Sequence, residues 1–200
     1  MPPTIHLIRH AQAEHNVDQD FTIHDPDLTS LGHEQCELAF KEWGNPVIVL
    51  ASPLQRTIQT ALGLFREYTS SGRKIILVPG LQEVGNTPSD TGSPREKLES
   101  RFGNDLDYGL LAPDWADKTD KSLISEESIK ERARSTRAFI RSIAQEYKDE
   151  DVSIVVVTHG KFLWYLTKNH DYWFKNVERR KYVFDDLTGE STEADLTETP

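Results

Sequence analysis

A chain of 200 residues with 36% hydrophobic content can bury one core without disulfides or a structural metal, and its single cysteine, Cys36, excludes an intramolecular bridge. A formal net charge of −10 sets long-range repulsion against nucleic acid and anionic membranes. No apolar run approaches the roughly 20 residues of a membrane helix and no signal-peptide pattern precedes the first strand, so a cytoplasmic protein with neither nucleic-acid nor membrane partners is expected.

Thr4-Ile5-His6-Leu7-Ile8 is β-branched and apolar, reads as a short buried strand, and ends at Arg9-His10. A polar loop follows. A helix begins near Thr29, with Leu31, Gln35, Leu38, Ala39 and Trp43 at helical spacing, and stops at Gly44-Asn45-Pro46. Val47 to Ala51 is a second strand, then Ser52-Pro53 reads as cap and first-turn proline of a helix whose buried face is Leu54, Ile58, Ala61, Leu62 and Phe65. Lys74 to Val78 gives a third strand.

Residues 84–121, rich in Gly, Pro, Asp and Ser, read as an insertion with one short helix from Pro94 to Phe102. Ser125 caps a long amphipathic helix from Glu126 to Tyr147, whose Lys130 to Arg141 run reads as a solvated face paired with Glu126, Glu127 and Glu131. Ser153 to Val157 is the fourth strand, followed by Thr158-His159-Gly160 and an apolar helix from Phe162 to Leu166. Lys181 to Phe184 is a candidate edge strand. The tail, residues 185–200, is acidic and Thr-rich without an apolar period, and fraying is expected. Alternating strands and helices predict one α/β domain over residues 1–184, a three-layer sandwich with a mostly parallel sheet covered on both faces.

In such sheets ligands bind beyond the carboxyl ends of the strands, which here carry Arg9, His10, Arg56, Glu83 and His159. A cation in the first turn of a helix, as Arg56 is placed, opposes the helix dipole unless an anion sits there. Guanidinium forks and helix N-termini match tetrahedral oxyanions, so a phosphoryl group is the natural guest. Neighbouring cations lower a histidine pKa, leaving one ring uncharged and nucleophilic. The scheme has His10 attacking phosphorus, Arg9, Arg56 and His159 stabilising the oxygens, and Glu83 as acid and base. Asp90 is the reserve acid. Arg95, Lys97 and Lys161 are candidates to meet a second anionic group. His6 and His10 would lie about 13 Å apart at strand rise, too far to share an ion, and no metal is expected.

Arg9-His10-Ala11-Gln12-Ala13-Glu14-His15-Asn16 resembles the Arg-His-Gly signature of the histidine phosphatase superfamily, the phosphoglycerate mutase-like proteins. Leu28-Thr29-Ser30-Leu31-Gly32-His33-Glu34-Gln35 is similar to the helix start that comes after it there. Ser52-Pro53-Leu54-Gln55-Arg56 through Thr60-Ala61 and Thr158-His159-Gly160 resemble two further motifs of that family, in the same order. Ala11 departs from the usual Gly, and Leu81-Gln82-Glu83-Val84 matches the acid segment only in part. The resemblance implies a phosphohistidine on His10, phosphate ligands at Arg9, Asn16, Arg56, His159 and Gly160, a phosphoglycerate mutase-like α/β fold, a small phosphorylated substrate, and no metal or organic cofactor. Hydrolysis of a phosphomonoester is the expected activity; a phosphoglycerate mutase-type transferase and a non-hydrolytic phospho-ligand binder are the alternatives.

Overall fold

The computed structural model describes residues 2–40 and 46–200. Trp43 and the predicted stop at Gly44-Asn45 lie outside them. Among the described residues a seven-stranded sheet runs in the order β4-β3-β2-β5-β1-β6-β7. These strands are β1 (Thr4–Arg9), β2 (Ile48–Ala51), β3 (Ile75–Leu77), β4 (Leu106–Asp107), β5 (Ser153–Thr158), β6 (Arg179–Phe184) and β7 (Leu196–Thr199). β4 through β1 pair in parallel; β6 and β7 are antiparallel. The helices are α1 (Glu14–Val17), α2 (Ser30–Phe40), α3 (Gln55–Leu64), α4 (Arg66–Ser70), α5 (Arg95–Phe102), α6 (Glu126–Glu146) and α7 (Gly160–Thr167).

Alternation along the strands divides the core into two layers. Ile8, Val49, Ala51, Leu77, Val155 and Val157 meet Leu54, Ile58, Ala61 and Leu64 of the α3 region on one face. Ile5, Leu7, Leu50, Ile154 and Val156 meet α6 and α7 on the other. The sandwich covered on both faces is therefore observed. Among the described residues no helix is long and apolar enough to cross a membrane.

Several local expectations change. α2 turns Leu31 and Leu38 to solvent, the latter 71% exposed, and packs instead through Gly32 and Cys36. A Cβ on Gly63 of α3 would come within 2.9 Å of Cys36 Cβ, so small side chains let the two helices approach closely. α3 starts at Gln55, after Leu54 rather than Ser52, and Asp25, thirty residues upstream, accepts its first amide: Gln55 N–H donates to Asp25 Oδ1 at 2.9 Å.

The tail contributes a strand to the sheet. β7 pairs with β6 along its length, so Lys181 to Phe184 is not a sheet edge. The Arg-rich stretch of α6 is only partly solvated: Lys130–Glu126 and Arg134–Glu131 are exposed pairs, whereas Arg137 and Arg141 are buried. Arg137 Nε donates to Glu193 O at 3.0 Å and Arg141 Nη1 to Ser191 O at 2.6 Å, satisfying tail carbonyls that have no ladder partner. Lys168 adds ion pairs to Glu193 and Asp195.

Candidate active site

Register brings the two histidines to one level. Arg9 and Thr158 are partners at the ends of β1 and β5, and the next residue of each strand is a histidine. His10 N–H donates to Thr158 O at 2.9 Å, and the His10 and His159 ring centroids stand 5.3 Å apart. β2 adds Ser52, whose hydroxyl lies 2.8 Å from His159 Nε2. α3 then presents Arg56 in its first turn, fully buried.

A cavity of about 600 Å³ is lined by Arg9, His10, His15, Asn16, Arg56, Glu83, Asp90 and Gly160, with Lys161, Phe21 and Trp173 among its further walls. His159 is fully buried and does not itself line the cavity. A larger groove of about 1010 Å³ runs along α6 and the end of α7, but its lysines and arginines are committed to ion pairs and carbonyls. Among the described residues no three His, Cys, Asp or Glu side chains are grouped to hold a metal ion.

His10 Nδ1 is 2.7 Å from the carbonyl of Ala11, which only accepts, so Nδ1 carries the proton and Nε2 keeps its lone pair. Burial, then Arg56 and Arg9, hold the ring well below the ordinary imidazole range. His159 is lowered in the same way by burial, Arg56 and His10. Both rings are uncharged at neutral pH.

Arg9 Nη1 donates to Phe174 O at 2.8 Å and Arg56 Nη1 to Ser89 O at 2.6 Å, while the Nε atoms of both have no hydrogen-bond partner. His159 Nδ1 is likewise unpartnered. Buried polar groups are nearly always paired, and a tetrahedral oxyanion has the acceptor geometry that two guanidinium donors fit.

Glu83 lies beyond the turn after β3 and reaches the start of α7. Its Oε1 accepts from Val84 N–H at 2.9 Å and from Phe162 N–H at 3.0 Å. Burial first, then Asp90, push its carboxyl above the usual range, outweighing the Val84 amide, Arg56 and the Lys161 amide. Asp90 serves Arg56, with Oδ1 3.6 Å from Nη2, and Oδ2 accepts from Thr87 Oγ1 at 2.9 Å. Asn16 Oδ1 is taken by Ala13 N–H at 3.0 Å, and its Nδ2 donates to His15 Nε2 at 3.0 Å. Gly160 is closely covered, since a Cβ would sit 3.0 Å from the Trp173 ring and 3.2 Å from Arg9 Nε.

Arg95 and Lys97 do not line the cavity; Arg95 is paired with Glu99 at 2.7 Å, and Lys161 alone of the three candidates faces it. Sequence reasoning missed several residues. His15 is a third buried imidazole, 5.8 Å from His10 and lowered to about 3 by burial, Arg56 and Arg9; its signal was its place in the first motif. Thr60 Oγ1 accepts from Ala11 N–H at 3.0 Å and donates to Arg56 O at 2.6 Å, tying α3 to the loop after β1. A Cβ on Gly32 would collide with Gln12 O, so that same loop rests on α2. Lys118 donates to the carbonyls of Glu83, Gly85 and Asp90 at 3.0, 2.8 and 2.6 Å. Arg132 binds those of Gly80 and Gln82. Together they clamp the loop that carries both carboxylates.

The model of a known family, described as histidine phosphatase superfamily (branch 1), matches residues 5–182. Phosphoglycerate mutase-like protein 1 of Arabidopsis thaliana is 27% identical over 98% of this chain and 86% of its own. A protein of Schizosaccharomyces pombe named a probable phosphatase is 26% identical over 78% of this chain and 74% of its own. Among solved structures, phosphoserine phosphatase of Entamoeba histolytica in complex with 3-phosphoglyceric acid superposes with a TM-score of 0.62 at 19% identity, covering 99% and 95% of the two chains.

Proposed function

The chain belongs to the histidine phosphatase superfamily, and from that premise we propose that it hydrolyses a small phosphomonoester through a phosphohistidine on His10. The observation that carries this reading is the tautomer of His10: the 2.7 Å bond to the Ala11 carbonyl leaves Nε2 unprotonated beside two buried arginines.

In the first step His10 Nε2 attacks phosphorus, an N–P bond forms, and the P–O bond to the alcohol breaks. Arg9 and Arg56 take the equatorial oxygens with Asn16 on the same wall, His159 lies against His10, and the amide end of α7 at Gly160 faces the same charge. Glu83, kept protonated by its raised pKa, gives its proton to the leaving oxygen. In the second step Glu83, now a carboxylate, takes a proton from water, whose oxygen attacks phosphorus as the N–P bond breaks. Inorganic phosphate is released and Glu83 ends protonated. Glu83 is favoured over Asp90 as the acid because Asp90 is ion-paired with Arg56.

The test is phosphate release from an aryl phosphate by the wild type and His10→Ala. Loss of turnover by a factor on the order of 10⁴ or more is expected, in line with removing a nucleophile from a preorganised site. Undiminished turnover would refute the assignment.

A further inference from the structure

Phe21 and Trp173 are large apolar side chains that stay 48% and 46% exposed, and both line the cavity that holds His10. They arrive from different parts of the chain, Phe21 after α1 and Trp173 between α7 and β6. Exposed aromatics scattered over a surface need no explanation, but these two share the walls of one pocket.

Trp173 is held in place although half of it faces solvent. The Arg9 guanidinium carbon lies 5.0 Å from its ring centre, Trp164 packs edge-on at 4.9 Å, and Gly160 is bare beneath it. Phe21 stands 6.2 Å from the His15 ring, and its carbonyl accepts from Ser89 N–H at 3.2 Å. An aromatic face already fixed in position loses little conformational entropy when a flat apolar group covers it. His15 between these walls and His10 is uncharged, which keeps that side of the cavity apolar.

The charged lining gives the complementary constraint. Arg9 and Arg56 belong to the phosphoryl group, and the other lining cation among the described residues is Lys161. Against it stand the Asp90 carboxylate on the same walls and a chain of net charge −10. A second anion on the substrate would meet one exposed lysine, a protonated Glu83 and the Asp90 carboxylate.

Resting on the phosphomonoester reading above, we infer that the preferred substrate is the ester of an uncharged alcohol with a flat apolar body that stacks on Trp173 and Phe21. An ester whose alcohol carries a carboxylate fits these walls poorly.

The experiment compares kcat/KM for 2-(2-naphthyl)ethyl phosphate and for phosphoserine. Both are primary alkyl esters, so leaving-group acidity does not decide the outcome. We expect the naphthyl ester to be favoured at least about thirtyfold, mostly through KM, corresponding to roughly 2 kcal/mol at 1.4 kcal/mol per factor of ten. Phe21→Ala reduces that ratio about tenfold and Phe21→Trp restores it. Equal efficiency on the two esters, or a Phe21→Ala variant that slows both alike, overturns the inference; phosphoserine favoured, with the preference lost in Lys161→Ala, assigns the mouth to a carboxylate instead. If neither ester is hydrolysed, the hydrolytic reading fails, and binding then decides the specificity separately. 2-Naphthylmethylphosphonate must bind at least about tenfold more tightly than phosphonoacetate to wild type and lose that advantage in Phe21→Ala, and equal affinities overturn the inference.

Discussion

A histidine attacks phosphorus only through an uncharged nitrogen, and three influences act on His10 together: burial, Arg56 and Arg9 all disfavour its protonation. The acid limb of the rate profile therefore lies below the ordinary imidazole range of about 6.5. Glu83 works in the opposite sense. Its raised pKa keeps it protonated to higher pH than a free carboxyl, so activity falls as pH rises through that raised value. A bell displaced to the acid side is the expected kcat/KM profile, and a profile rising through pH 8 would contradict it. Glu83→Gln keeps an oxygen for the Phe162 amide but has no proton to give and no base to offer. Its kcat/KM on an alkyl phosphate, which reports only the steps up to formation of the phosphohistidine, should fall by about 10²–10⁴. On nitrophenyl phosphate, whose leaving group needs no proton, the fall should be much smaller. Equal losses on both substrates, measured by phosphate release, would remove Glu83 from the acid role.

At the scale of elements, the loop after β1 is held by contacts between segments distant in sequence. Asp25 is buried at φ 43°, caps α3 through Gln55 N–H and accepts from Ser93 N–H at 2.8 Å, joining the first loop, α3 and the insertion. Asp25→Ala removes both acceptors and should cost about 1–3 kcal/mol in chemical denaturation, with Asp25→Asn costing less. An unchanged midpoint would show that another group caps α3. The strands and the rim residues were legible in the sequence because a parallel strand is buried on both faces and reads as an apolar run such as Ser153 to Val157. The polar residues just beyond the end of each run then fall on the ligand rim. The face of α2 was not legible, because that helix packs by close approach at Gly32, Cys36 and Gly63 while Leu31 and Leu38 stay outside. Nor was the cap from Asp25, since it acts across thirty residues. β7 was invisible for a related reason: its place is set by ladder bonds to β6 and by Arg137 and Arg141, none of which leaves an apolar period in Leu196–Thr199. His15 was in plain view within the first motif, but only the fold shows its ring beside His10.

Over the whole molecule, four histidines are buried uncharged: His6, lowered to about 4 by burial, Arg179 and Lys181; His15, lowered to about 3; and the catalytic candidates His10 and His159. Each has a folded pKa below its unfolded value, so the stability they contribute is complete above about pH 6.5 and is lost as pH falls toward 4. Each costs up to about 1.4 kcal/mol per pH unit over that window. Glu83 and Asp25, with raised values, offset part of the slope. Denaturation curves at pH 7.5, 6 and 5 should show falling stability, and a flat series would mean that the histidines are not buried in this way. Sulfate, a dianion across this range, should stabilise more at pH 5 than at pH 7.5, because an anion held by Arg9 and Arg56 raises the pKa of the His10 ring beside it and binding then takes up a proton. The central claim, a covalent phosphoryl group on His10, is tested most directly by quenching the enzyme during turnover and mapping acid-labile phosphate by mass spectrometry. The label should lie on the peptide containing His10 and be absent from His10→Ala; label on any other residue, or turnover with no phosphoprotein formed, would contradict the account.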